Sequence, residues 1–248
     1  MTDNFKLKLV DGCKKLGIEL DELKTEKLYR YYELVVEKNK FMNLTAITEE
    51  DEFISKHFVD SLSLVIAPDM EEILVSHKKG IKLIDVGTGA GFPGMVLKIV
   101  FPSLKITLFD SLKKRLNFLD EVIAELELKD IETLHGRAED YGNNKLYREK
   151  YDICVSRAVA NMSALSEYCL PFVKPDGLFV AYKSGGSHSE IREAAKAVKI
   201  LGGNIEDIQD FMLPDSDIER SLVSVRKIKK TPAQYPRKAG TPAKEPIK

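Results

Sequence analysis

The sequence predicts an α/β fold with a mostly parallel sheet and a helical segment ahead of it. Three observations carry this. From residue 81 onward short apolar runs alternate with helix-length stretches, the texture of strands joined by crossover helices. The first run leads straight into Gly87-Thr88-Gly89-Ala90-Gly91-Phe92-Pro93-Gly94. The first 75 residues instead repeat apolar side chains near 3.6 residues apart. At 248 residues, 44% apolar and 31% charged, the chain has enough apolar material for one large core with an appendage and is not disordered.

In chain order, Phe5, Leu9, Cys13 and Leu16, then Leu28, Tyr31 and Val35, then Ile54, Phe58, Leu62 and Val65 mark the N-terminal helices. Asn43-Leu44-Thr45 interrupts them. Thr48, followed by Glu49, Glu50 and Asp51, offers a cap and negative charge for the helix bearing His57 and Asp60. Strands are expected near 81–86, 104–109, 131–134, 151–155 and 177–183, with helices near 93–101, 112–127, 161–173 and 189–201. The last strands, near 204–213 and 221–229, are joined by Pro214-Asp215-Ser216-Asp217, too short for a crossover, so they pair antiparallel and add one reversed strand. Prolines 232, 236, 242 and 246 with Gly240 favour an extended tail without its own core. The expected organisation is a helical extension over 1–75, the main domain over 76–230 and a basic tail over 231–248.

Composition excludes several classes. No run approaches the ~18 apolar residues of a membrane span, and the N-terminus lacks the apolar stretch of a signal peptide, so a cytoplasmic protein is expected. Cys13, Cys154 and Cys169 are odd in number and far apart, and His57, His77, His135 and His188 have no metal-ligand spacing. Neither a disulfide framework nor a metal site is expected. Net charge is −1, yet the final 29 residues hold 9 Lys and Arg against a single Glu. Such a segment is either a solvated tail or a positive field for a polyanion.

The glycine cluster is the most informative stretch. Glycines at the end of a first parallel strand permit positive φ and remove the Cβ atoms that would obstruct a ligand lying on the backbone. Gly89-x-Gly91-x-x-Gly94 satisfies a dinucleotide pattern, whereas counting from the strand end gives Gly87-x-Gly89-x-Gly91, and the pattern alone does not choose between them. Asp110, closing the second strand beside Ser111, stands where an acid accepts hydrogen bonds from a ribose. Both NAD and S-adenosylmethionine carry that ribose. Asp85 favours the second, because a carboxylate facing the loop attracts an ammonium or sulfonium and repels a pyrophosphate. A nicotinamide oxidoreductase and an RNA-binding factor without chemistry remain the alternatives.

The loop Asp85-Val86-Gly87-Thr88-Gly89-Ala90-Gly91-Phe92-Pro93-Gly94 resembles that of the RsmG (GidB) family of 16S rRNA guanine-N7 methyltransferases. Also similar to that family are Asn43-Leu44-Thr45-Ala46-Ile47, His57 with Asp60-Ser61-Leu62, Asp110-Ser111 with Lys114-Arg115, Arg137-Ala138-Glu139, Ser156-Arg157-Ala158 and Pro236-Arg237-Lys238-Ala239-Gly240-Thr241-Pro242. The resemblance spans nearly the whole chain. It implies a class I S-adenosylmethionine-dependent methyltransferase fold, Rossmann-like and seven-stranded, acting on guanine 527 in the 530 loop of 16S rRNA in the small ribosomal subunit. It implies a cofactor site at Gly87, Phe92, Ala138, Glu139 and Arg157, with Ser111 in a matching segment, to which the glycine-loop reading adds Asp85, Gly89, Gly91 and Asp110.

Guanine N7 already carries an in-plane lone pair, so its methylation needs no base, and positioning supplies the rate. Arg157 and Lys183, each ending a strand, are the candidates nearest the chemistry. Arg237 and Lys238, with Lys229, Lys230 and Arg226, are the expected RNA-binding cations. A monomer is expected.

Overall fold

A computed structural model describes residues 1–75, 80–157 and 159–248; His77 and Ala158 lie outside the described residues, as does the stretch just after the expected boundary at 75. Helices α1 (Asp3–Lys15) and α2 (Glu22–Met42) begin where Thr2 Oγ1 accepts from Phe5 N and Asp21 Oδ1 from Lys24 N. They bury the faces that the 3.6 spacing marks, Phe5, Leu9 and Cys13 on one and Leu28, Tyr31 and Val35 on the other. The left-handed Asn43 (φ 48°) ends α2.

The next helical stretch runs as α3 (Glu50–Phe53), a π-helical turn (Ile54–Val59), α4 (Asp60–Leu62) and a 3-10 turn (Ser63–Ile66), with α5 (Met70–Val75) after it. The expected Thr48 cap is corrected: Glu49 holds the cap position and makes no side-chain bond. Thr48 offers its carbonyl to Tyr32 Oη instead, at 2.9 Å. No spacing rule foretells the π turn, which widens the helix where His57 sits.

The sheet comprises β1 (Lys82–Val86), β2 (Lys105–Asp110), β3 (Ile131–His135), β4 (Tyr151–Arg157), β5 (Val173–Ser184), β6 (Gly203–Met212) and β7 (Glu219–Lys227), in the order β3-β2-β1-β4-β5-β7-β6. Six strands run parallel, and β7 opposes both neighbours. Strand order reverses between β1 and β4, which opens a crevice at their carboxyl ends. Helices α6 (Gly94–Val100), α7 (Lys113–Glu125), the short α8 (Ala138–Tyr141), α9 (Met162–Cys169) and α10 (His188–Ile200) connect the strands. Helices α1 to α7 contribute to the larger core with Leu83, Leu108 and Val155, while α9 and α10 cover Ile84, Cys154 and Phe179 on the other face. Each fully buried aromatic of the first layer, such as Phe5, Phe58 and Phe118, contributes roughly 1.5–3 kcal/mol. The N-terminal helices and the sheet thereby share one continuous core.

The tail packs Tyr235 and Ile247 against the second core, is fastened down and forms α11 (Thr241–Lys244). Arg148 donates to the carbonyls of Thr231, Pro232 and Tyr235, and Asn143 Nδ2 to that of Pro236. Composition reveals nothing of this, because the acceptors are backbone carbonyls.

Candidate functional site

The glycine loop emerges from β1 and is tied at once to β2, where Gly87 N and Thr88 N both donate to the Phe109 carbonyl. Gly87, Gly89 and Gly91 all have positive φ, at 75°, 62° and 106°. A Cβ on Gly87 would also lie 2.5 Å from Val159 Cγ2. Two carboxylates shape the loop. Asp85 Oδ2 accepts from Thr88 Oγ1 at 2.6 Å and from Gly94 N at 2.9 Å. Asp110 Oδ2 accepts from Gly89 N at 2.9 Å, and its Oδ1 accepts from Leu112 N at 2.8 Å.

Asp85 departs from its expected position. Its carboxylate lies wholly buried beneath the loop instead of facing the crevice, and burial pushes its pKa up to about 6. Its Oδ1 is left without a hydrogen-bond partner. An orphaned carboxylate oxygen under a turn is a site that rewards a nearby cation.

A cleft of about 550 Å³ opens beside the loop. Gly87, Asp110, Ser111, Ala138 and Glu139, all candidates from sequence, line it. Sequence reasoning missed Arg115, Val159, Tyr168 and Gly240, which also line it. Arg115 was within reach, as part of the quoted Lys114-Arg115 pair. Gly240 was within reach too, inside the Pro236–Pro242 motif, whereas Tyr168 carries no local signal, for it comes from α9.

Phe92 and Arg157 turn away from this cleft toward the N-terminal helices. The Phe92 ring stacks on His57, with centroids 4.3 Å apart and planes within 6°, and Arg157 Cζ lies 5.3 Å from the Phe92 centroid. Arg157 donates to Asp60 Oδ2 at 2.6 Å, to the Lys56 carbonyl at 3.0 Å and to His57 Nδ1 at 3.2 Å. Arg220 Nε completes Asp60 at 2.9 Å. With Nδ1 accepting, His57 presents Nε2–H to Thr45 Oγ1, 2.8 Å away. Burial, then the Arg157 charge, pulls the His57 pKa down to about 3, so the imidazole is neutral. His57 and Asp60 from one segment and Thr45 from another thus meet in one network that fastens the N-terminal helices to the end of β4.

Lys183 is likewise engaged: its Nζ pairs with Glu190 at 2.6 Å and donates to the Ala160 carbonyl at 2.9 Å, holding the loop after β4. The expected RNA cations divide. Arg226 pairs with Asp69 and Glu206, and Arg237 grips Glu167, so neither presents an unpaired charge. Lys229, Lys230 and Lys238 are exposed and make no ion pair among the described residues. The basic count of the tail overstates its outward field, because a composition counts cations without their partners.

A glycine turn at the strand-order reversal, an acid closing β2 and a reversed β7 in a seven-stranded sheet define a Rossmann-like protein of the class I methyltransferase fold. Solved structures agree on the fold alone. A mutant of MtNAS superposes with a TM-score of 0.52 at 14% identity, covering 84% of this chain and 75% of that one. The cyclase SpnF gives 0.50 at 13% identity, covering 68% and 81%.

Sequence comparison goes further. The profile of the GidB family, described as rRNA small subunit methyltransferase G, matches residues 24–223. The ribosomal RNA small subunit methyltransferase G of Acetivibrio thermocellus is 52% identical over 239 residues, 96% of this chain and 95% of its own length. The protein of the same name from Lachnoclostridium phytofermentans is 50% identical over 247 residues, with 100% and 98% coverage. The chain belongs to the GidB family.

Proposed function

We propose that this chain methylates N7 of guanine 527 in the 530 loop of 16S rRNA, with S-adenosylmethionine as donor. The observation that carries the reading is the cleft beside the glycine loop. Its floor is backbone bare of Cβ atoms at Gly87, and the Asp85 oxygen without a partner lies beneath the loop. Those features fit a cationic nucleoside. Asp110 spends one lone pair of each oxygen on Gly89 N and Leu112 N and keeps the others for ribose hydroxyls. Ala138 and Glu139 border the same cleft.

When bound, S-adenosylmethionine supplies an electrophilic methyl on a sulfonium. The protein's task is alignment: N7 and the methyl must be held roughly 3 Å apart and in line, with water kept out. Arg157 serves this by fixing Phe92 and the loop from behind, and Lys183 by fixing the loop that bears Val159. Both are positioning residues in this reading. N7 lies on an edge that an A-form helix hides, so the target must be unpaired or displaced. Lys229, Lys230 and Lys238 are the cations offered to its phosphates.

The working form we propose is a cytoplasmic monomer. No described helix is long and apolar enough to cross a membrane. Among the described residues no cluster of three His, Cys, Asp or Glu is placed to hold a metal. The test is transfer of a radiolabelled methyl from S-adenosylmethionine to 16S rRNA lacking its own modification, followed by mapping of the labelled base. Label at guanine 527 N7 is expected; no transfer to naked RNA or to small subunits overturns the reading.

A further inference from the structure

The C-terminal segment reaches the cleft itself, since Gly240 lines it beside Ala138, Glu139 and Tyr168. Its last fastenings before that point are two carboxylates from the main domain. Glu167, fully buried on α9, accepts from Arg237 N at 2.7 Å and Nε at 3.0 Å through one oxygen, and from the guanidinium NH2 at 2.7 Å through the other. Glu139, buried at the start of α8, accepts from Gly240 N at 2.8 Å.

We infer that the segment around Gly240 is a wall of the cofactor cleft, and that Arg237 is a positioning residue for cofactor binding that acts through Gly240. This rests on the cleft reading given above. A carboxylate with no exposure needs a counter-ion, and the described residues supply Glu167 with Arg237 alone. The pair is bidentate, so it fixes both where the segment crosses α9 and its direction. Gly240 follows three residues later, a span of at most ~3.6 Å per residue, so the Arg237 anchor limits how far Gly240 strays from Glu139. Without the guanidinium the segment keeps the Arg237 N bond to Glu167, the Asn143 bond to the Pro236 carbonyl and the Glu139 bond to Gly240 N, but loses the fork that sets its direction. The guanidinium also donates to the Glu245 carbonyl at 2.8 Å, which leaves it little to offer a phosphate. In this inference Arg237, expected from the sequence as an RNA-binding cation, takes a positioning role instead.

The experiment is calorimetric titration of the full chain with S-adenosylhomocysteine. Arg237→Ala is expected to weaken binding about tenfold or more, and Arg237→Lys, which keeps a cation against Glu167 but not the fork, to recover only part of the loss. In parallel, amide hydrogen exchange over residues 235–245 of the wild type is expected to slow when S-adenosylhomocysteine is added. An Arg237→Ala variant within twofold of wild-type affinity overturns the inference. Should that variant fail to fold, exchange in the wild type decides, and rates indifferent to ligand overturn it. A wild type that does not bind S-adenosylhomocysteine overturns the cleft reading and this inference together; wild-type binding with an indifferent variant overturns this inference alone.

Discussion

The Asp60 carboxylate holds two guanidinium groups at once, and Asp60→Ala removes it. Asp60 is 4% exposed at its side chain, with Arg157 at 15% and Arg220 at 23%, and the contacts are 2.6 and 2.9 Å. Water therefore screens the pairs little. Breaking a buried pair by deleting one partner costs about 3–5 kcal/mol, mostly from the charge left uncompensated. An exposed pair such as Lys6–Glu22 (45% and 74% exposed) contributes about 0–1 kcal/mol and serves as the comparison through Lys6→Ala. At roughly 2–4 °C per kcal/mol for a chain of this size, Asp60→Ala should lower Tm by roughly 6–20 °C. Urea unfolding measures the free energy directly and differential scanning calorimetry the Tm. S-adenosylhomocysteine affinity should fall as well, because Arg157 then no longer braces Phe92. A loss below about 1 kcal/mol would refute the argument, since it would mean the two guanidiniums find water or new partners at no cost.

Gly87→Asp should abolish S-adenosylhomocysteine binding, because it combines a strained φ of 75° with a Cβ 2.5 Å from Val159 Cγ2; calorimetry giving near wild-type affinity would count against the cleft. The raised Asp85 pKa makes a pH prediction. Between the ordinary 3.8 and about 6 the folded chain keeps a proton that the unfolded chain has lost, so this group's contribution to stability falls as pH rises through that window. A cationic donor favours the carboxylate, so affinity for S-adenosylmethionine should rise up to about pH 6 and then level. Asp85→Asn should erase the step; a step that persists there belongs to another group. Reversing Lys229, Lys230 and Lys238 to Glu should flatten the plot of log affinity for RNA against log salt by about 0.7–0.9 per lost phosphate contact, with S-adenosylhomocysteine affinity unchanged. An unaltered slope would remove those lysines from the interface.

The sheet and its helices were legible because each strand and crossover has its own period, and the glycine loop because only a backbone without Cβ atoms makes that turn. β5 starts at Val173, earlier than its apolar run, because Val173 pairs with Tyr151 ahead of an irregularity bearing exposed Lys174 and Asp176, before regular pairing resumes at Leu178. Within the site, Gly87 and Asp110 could be read because they lie at strand ends, whereas Ser111, Ala138 and Glu139 were reached through the family resemblance. The Arg157 network could not, for spacing tells which face a side chain occupies and not which partner waits there. His57 and Asp60 share a helix face in the sequence, but only the fold shows that Arg157 and Arg220 arrive from β4 and β7. For the same reason Arg226 and Arg237 looked like cations for RNA.

The two additions to the sheet are fastened by the same device. The N-terminal helices close on Asp60 with Arg157 and Arg220, and the tail closes on Glu167 with Arg237. Well-packed apolar residues would stabilise the chain as well or better, since desolvation consumes much of what a buried pair gains. What a guanidinium against a carboxylate adds is direction, because its fork fits only a narrow set of orientations. A reaction that needs no proton transfer at N7 depends on direction, as misplacement of ~1 Å can cost a factor of 10² in rate. On this argument the Asp60 and Glu167 pairs belong to catalysis by alignment, and variants that preserve charge but not the fork, such as Arg157→Lys, should lower kcat more than they lower Tm. A Tm loss that accounts for the whole fall in rate would return these pairs to a purely structural role.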